Sequence, residues 1–159
     1  MKIASWNVNS LRVRLPQVLQ WLDETSTDIL ALQETKTTDN DFPRNAFHEA
    51  GYEVVYTGQK AYNGVCIVSR APFEDAVRNL PGSDDPQRRL VAATYEGTRV
   101  INVYVPNGET VDSNKYRYKL DWLQRLAEFV EVELRNHPRL VMVGDFNVAP
   151  EDVDVNDLK

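Results

Sequence analysis

Four short apolar runs in this chain each give way to a polar residue capable of chemistry. Ile3-Ala4-Ser5-Trp6 leads to Asn7, Leu30-Ala31-Leu32-Gln33 to Glu34, Ile101-Asn102-Val103 to Tyr104, and Leu140-Val141-Met142-Val143-Gly144 to Asp145, with Asn147 just beyond. Runs of this length are too short for stable helices and match buried strands. In layered sheets, ligand sites gather at strand ends, so Asn7, Glu34, Tyr104, Asp145 and Asn147 are expected to converge at one end of the sheets despite their wide separation in sequence.

The segments between these runs complete an α/β reading. Strands are expected over residues 2–6, 28–33, 52–57, 64–69, 90–95, 99–105 and 140–144. Helices are expected over 15–24, with Pro16 near the first turn, over 43–50, closed by Gly51, and over 116–136. In the last of these, Leu123, Leu126, Ala127, Val130 and Leu134 form one apolar stripe, and Pro138 follows its end. Glu96-Gly97-Thr98 joins two strand-like runs as a hairpin, with glycine supplying a positive backbone angle. Residues 79–87, rich in Pro, Gly and Asp, read as a surface loop. Helices returning between strands imply sheet layers covered by helices.

With 159 residues, 42% of them hydrophobic, and no low-complexity tract, the chain fits one globular domain over residues 1–159. No apolar stretch approaches the roughly 20 residues that span a bilayer, so no membrane partner is expected. Met1-Lys2 runs straight into the first strand without a signal-peptide pattern, and one cysteine cannot form an internal disulfide. Both observations lead to the expectation of a reducing, cytoplasmic setting. Cys66, within Val65-Cys66-Ile67-Val68, reads as a small core residue.

The net charge of −6 argues against a polyanionic partner, but its distribution weakens that objection. Residues 145–159 hold five acids and one base and so carry −4 of the total. Two basic clusters stand apart: Arg88 and Arg89, and Lys115, Arg117 and Lys119 interleaved with Tyr116 and Tyr118. Either could equally be a solvated face.

Glu34, Asp145, Asn7 and Asn147 offer oxygen ligands suited to a hard cation such as Mg²⁺, which keeps waters and takes one or two carboxylates from protein. One Cys and two His residues give no soft-metal site. Singly, Asn7 reads as a turn residue, Glu34 as a solvated carboxylate and Tyr104 as half of an amphipathic strand. Gly144-Asp145-Phe146-Asn147 is stronger, because a carboxylate and an amide two residues apart share one side of the chain. From the residues alone, a metal-assisted hydrolase is one reading among others.

Ile3 to Arg12, Leu32-Gln33-Glu34-Thr35-Lys36, Asn63-Gly64-Val65, Val103 to Gly108 and Gly144 to Pro150 resemble, in order, the successive motifs of the exonuclease III family of abasic-site endonucleases, within the endonuclease/exonuclease/phosphatase superfamily. Five motifs in register are far more specific than any one. The resemblance implies a four-layered α/β sandwich, incomplete at the carboxy-terminal side, and a Mg²⁺-dependent DNA phosphodiesterase of base excision repair. It would act as abasic-site endonuclease and 3′ to 5′ exonuclease, with Mn²⁺ as a substitute metal. It further implies a cation held by Glu34 with Asn7 nearby, a water activated by Asp145 and oriented by Asn147, and Tyr104 near the phosphate. Arg88, Arg89, Lys115, Tyr116 and Lys119 become candidates for the backbone of duplex DNA.

The family's later Asp and its Ser-Asp-His motif have no counterpart in these residues. Ser83-Asp84 continues to Asp85, while His48 and His137 read as structural or surface residues. The expectation is therefore a truncated domain, impaired in turnover because the catalytic His is missing, with sheet edges open to a complementing fragment or to self-association. Two further readings stay open: a catalytically dead module binding DNA or a partner, and a superfamily phosphodiesterase acting on RNA or lipid.

Overall fold

A computed structural model describes residues 1–154, so Asp157 and Lys159 of the acidic tail lie outside the described residues. In chain order the elements are β1 (Ile3–Asn7), α1 (Leu11–Thr25), β2 (Ile29–Gln33), α2 (Arg44–Glu49), β3 (Glu53–Thr57), β4 (Val65–Ser69), β5 (Glu74–Arg78), β6 (Leu90–Tyr95), β7 (Thr98–Tyr104), α3 (Asn114–Asn136) and β8 (Leu140–Asp145). They form two four-stranded sheets, ordered β1-β2-β4-β3 and β5-β6-β7-β8.

The two sheets are built alike. Each contains one parallel pair joined through a helix, β1-α1-β2 in the first and β7-α3-β8 in the second, and its other neighbours run antiparallel. In a parallel pair both carboxyl ends lie at the same pole. Asn7 pairs with Gln33 there, and Tyr104 pairs with Asp145.

Three apolar layers hold the sandwich. Ile29, Val55, Ile67, Val91, Ala93 and Val100 fill the space between the sheets. Val18, Leu22 and Phe47 of the first two helices pack with Leu30, Val54 and Cys66 on one outer face. Trp122, Leu126 and Phe129 of α3 cover Ala92, Ile101 and Val103 on the other. The arrangement helix, sheet, sheet, helix is the four-layered α/β sandwich expected above. Among the described residues no helix is long and apolar enough to cross a membrane.

Polar residues cross these layers too. Asn102, fully buried on β7, donates from Nδ2 to the carbonyls of Leu32 and Cys66 at 2.9 Å each and accepts from Gln33 Nε2 at 2.7 Å. Arg99 on β7 is 1% exposed and pairs with Glu133 of α3, while its Nη1 donates to the Asp75 carbonyl at 2.6 Å. A buried guanidinium is tolerated only when paired in this way.

Three local expectations change. The α3 stripe is rotated: Trp122, Leu126, Phe129 and Glu133 face inward, while Leu134 is 54% exposed and Ala127 lies on the solvent side. Two aromatic rings bury more area than the smaller side chains and set the rotation. Helix α1 begins at Leu11, not Leu15, which puts Pro16 inside it at the cost of one backbone amide. Strand β5, Glu-Asp-Ala-Val-Arg, has no apolar alternation because it is a bulged edge strand, with its register broken between Glu74 and Val77.

Candidate metal and phosphate site

At the pole where the parallel pairs end, the side chain of Asn7 bridges two carboxylates. Its Nδ2 donates to Glu34 Oε1 at 2.9 Å and to Asp145 Oδ2 at 2.8 Å, across 27 and 138 residues of sequence. The Tyr104 hydroxyl donates to the same Glu34 oxygen at 3.0 Å. Asn7 Oδ1 accepts from the Asn9 amide at 3.0 Å, which fixes the orientation of the side-chain amide. The structure thus brings Asn7, Glu34, Tyr104 and Asp145 together.

The backbone pays for this placement in strain. Glu34, Lys36 and Asn147 all adopt left-handed angles, with φ of 53°, 53° and 48°. Non-glycine residues held there cluster at functional sites. Asp145 depends on its neighbour Gly144, at φ 148°, where an added Cβ would stand 2.0 Å from the Val103 carbonyl oxygen. Only glycine lets β8 lie this close to β7 and deliver the carboxylate that follows.

Asn147 is placed differently from the other four. Its backbone amide donates to Asp145 Oδ1 at 3.0 Å, but its side-chain Nδ2 turns to the Val105 carbonyl at 2.9 Å. It meets Asp145 through the main chain, and the side chain ties the segment to the strand beside it. Lys119 also turns inward: it is 9% exposed, and its ammonium donates to the Asn147 carbonyl at 2.6 Å. It supports the Asp145–Asn147 segment.

Two of the other candidates, Arg89 and Lys115, line a cavity of about 430 Å³ beside Tyr104, together with Gln87, Asn63 and Tyr118 among others. The Arg89 guanidinium lies 4.8 Å from the Tyr104 ring centroid, donates to the Tyr104 carbonyl and is steadied by Gln87 Oε1 at 2.8 Å. Lys115 is exposed and paired with Glu109 at 2.8 Å. Tyr116 packs against Gly108 at the start of α3. Arg88 takes part through its backbone, donating to Gln59 and accepting from Gly64.

Charge and burial oppose one another at Glu34. Burial pushes its carboxyl up, but hydrogen bonds from Asn7, Lys36 and Tyr104, with the charge of Lys36, leave it below the ordinary value. Burial pushes the Tyr104 phenol up to about 12, and the hydrogen bond to Glu34 and that carboxylate's charge add to the rise. Tyr104 is therefore a neutral donor at physiological pH. Burial likewise raises the Cys66 thiol well above its usual range, as suits a core residue.

Among the described residues no three His, Cys, Asp or Glu side chains gather as a metal cluster. Two carboxylates do meet, however, bridged by the Asn7 amide nitrogen, and that hard, incomplete donor set suits a cation that retains several waters. Lys36 is the site residue that sequence reasoning left inside a motif without a role. Its Nζ lies 2.9 Å from Glu34 Oε2 and donates to Asn9 Oδ1 at 2.5 Å. The available signal was its place two residues after Glu34, in a segment that forms no regular element.

Comparison with known proteins agrees with this fold. The model of the Endonuclease/Exonuclease/phosphatase family matches residues 4–159. Exodeoxyribonuclease III of Haemophilus influenzae is 31% identical over 98% of this chain and 60% of its own length. Among solved structures, a 3′ phosphatase from Neisseria bound to a product DNA hairpin is 52% identical with a TM-score of 0.96, over 99% of this chain and 62% of that one. An AP endonuclease from Archaeoglobus fulgidus is 45% identical with a TM-score of 0.90, over 99% and 61% respectively. The chain spans about three fifths of the length of these relatives. With its layered fold, and with this match over nearly all its residues, the chain belongs to the Endonuclease/Exonuclease/phosphatase family.

Proposed function

We propose that residues 1–159 are the amino-terminal part of a Mg²⁺-dependent DNA phosphodiesterase of exonuclease III type, acting on abasic sites and 3′ ends of duplex DNA in base excision repair. Mn²⁺ is the substitute metal, and the setting is cytoplasmic. The observation that carries the reading is the single Asn7 amide holding Glu34 and Asp145 side by side. An amide that gathers two carboxylates from different sheets at one pole supports a site built to take a cation. The relatives' names, an exodeoxyribonuclease, an AP endonuclease and a 3′ phosphatase on a DNA hairpin, support DNA as the substrate.

Glu34, with Asn7 beside it, would hold the cation. When bound, the cation supplies charge to polarise the scissile phosphate and to stabilise the leaving oxygen. Asp145, kept in place by the amides of Asn7 and Asn147, accepts a proton from the attacking water as its oxygen bonds to phosphorus. The bond to the leaving oxygen then breaks, and that oxygen takes a proton from solvent. Neutral Tyr104 donates a hydrogen bond to Glu34 or to a phosphate oxygen. Arg89 and Lys115, on the cavity beside it, are proposed to position the strand without reading its sequence.

The family's Ser-Asp-His motif does not occur in these residues, so alone they are proposed to turn over slowly. The edge strands β1 and β8 are the proposed docking place for a complementing fragment or a second copy. The test is cleavage of a labelled duplex with one abasic site in Mg²⁺, by this chain, by a chain extended to the relatives' length, and by its Asp145→Asn variant. Cutting is expected from the extended chain and lost with Asp145→Asn. An inert extended chain would instead favour a module that binds DNA without cleaving it.

A further inference from the structure

The Glu34 carboxylate already has a cation beside it. Lys36 Nζ sits 2.9 Å from Oε2, and Lys36 also lines a groove of about 620 Å³ whose three cations, Arg12, Lys36 and Lys60, outnumber its one acid, Asp41. The main chain at this point is pinned: the Thr35 amide donates to the Gly64 carbonyl at 3.1 Å and the Lys36 amide to that of Asn63 at 2.9 Å. The Lys36 side chain is 27% exposed, so it can move while its backbone stays. Oε1 of Glu34 is taken up by Asn7 and Tyr104, which leaves Oε2, the oxygen that Lys36 holds, as the one open to an incoming cation.

We infer that Lys36 is the resident counter-ion of Glu34, that a divalent cation displaces its ammonium, and that the displaced ammonium takes a phosphate of the DNA strand in the groove beside Arg12 and Lys60. This rests on the reading that Glu34 holds a metal. Two positive charges cannot share Oε2 without strong repulsion. The ammonium leaves toward the side where Arg12 and Lys60 already favour an anion. Metal binding thereby adds one phosphate contact, and by linkage the bound strand tightens the metal by the same factor.

The test uses residues 1–159 with Mn²⁺ followed by electron paramagnetic resonance, and a short fluorescein-labelled duplex followed by anisotropy. Lys36→Met and Lys36→Gln should tighten Mn²⁺ about threefold or more, the scale of a partly exposed ion pair. They should also lower the salt slope of duplex binding by about one, and shrink the gain in duplex affinity that Mn²⁺ produces. Lys60→Met should lower the salt slope equally and leave Mn²⁺ affinity alone. Lys36 variants that bind Mn²⁺ no tighter than the parent overturn the inference, as does a Lys60→Met variant that tightens it as much. Glu34→Gln separates the two levels. If it binds Mn²⁺ like the parent, or if the parent shows no saturable Mn²⁺ binding, the metal reading itself falls.

Discussion

Gln33 on β2 and Asn102 on β7 meet in the middle of the sandwich through a 2.7 Å hydrogen bond, each immersed in apolar side chains and belonging to a different sheet. Gln33 is followed at once by Glu34, and Asn102 stands two residues before Tyr104. The bond therefore sets the offset of one sheet against the other next to the groups that must meet across it. Apolar packing is non-directional and would allow a slip that this amide pair forbids.

Replacing Asn102 with Ala should cost about 3 kcal/mol, because the carbonyls of Leu32 and Cys66 and the amide of Gln33 all lose a buried partner. Urea unfolding of the single variants and of the Gln33→Leu, Asn102→Leu pair checks it. The apolar pair should recover part of the loss while metal affinity stays reduced.

Glu34 should make stability depend on pH in one direction. Its carboxyl lies below its ordinary 4.5 in the fold, so the stabilisation is fully present above the unfolded value and drains away as pH falls through the lower folded one. Between about pH 7 and pH 3.5 the parent should lose more stability than Glu34→Gln, whose side chain cannot titrate. Urea midpoints at the two pH values suffice.

Tyr104→Phe should remove one late-ionising phenol, near pH 12, from the ultraviolet titration of the protein. It should leave the pH dependence of metal binding unchanged across the neutral range, since the phenol is protonated throughout. It should also raise the Glu34 carboxyl, because one of the hydrogen bonds that lower it is gone. Carboxylate chemical shifts followed through an acid titration measure that rise.

Gly144→Ala should destabilise the chain by on the order of 3 kcal/mol or more, since the new methyl carbon meets a backbone oxygen that cannot rotate away. Mn²⁺ affinity should fall with it, because β8 must retreat from β7 and take Asp145 along. A variant that keeps both stability and Mn²⁺ affinity would show that the close approach is dispensable.

The strand cores and the residues that end them were legible because buried strands leave continuous apolar runs, and Asn7, Glu34, Tyr104 and Asp145 follow such runs directly. What the sequence could not show is direction. Asn147 and Lys119 lie beside the site in sequence terms, yet one turns its amide to Val105 and the other its ammonium to a carbonyl, choices made by tertiary neighbours. Strand β5 left no pattern because its bulge between Glu74 and Val77 breaks the period of two. The rotation of α3 was hidden because Trp122 and Phe129 compete with the leucines for the same face.

The bond from Asn7 to Asp145 spans nearly the whole described chain. Non-local contacts close late, and on the ribosome this one cannot form until β8 has emerged. Asn7 and Glu34 belong to the first sheet and are joined by a much shorter loop. Until residue 145 has been made, a nascent chain thus carries Asn7 and Glu34 without Asp145. Lys36, made two residues later, lies within reach of that carboxylate from the moment the loop forms. The acid is thereby compensated well before its partner Asp145 exists.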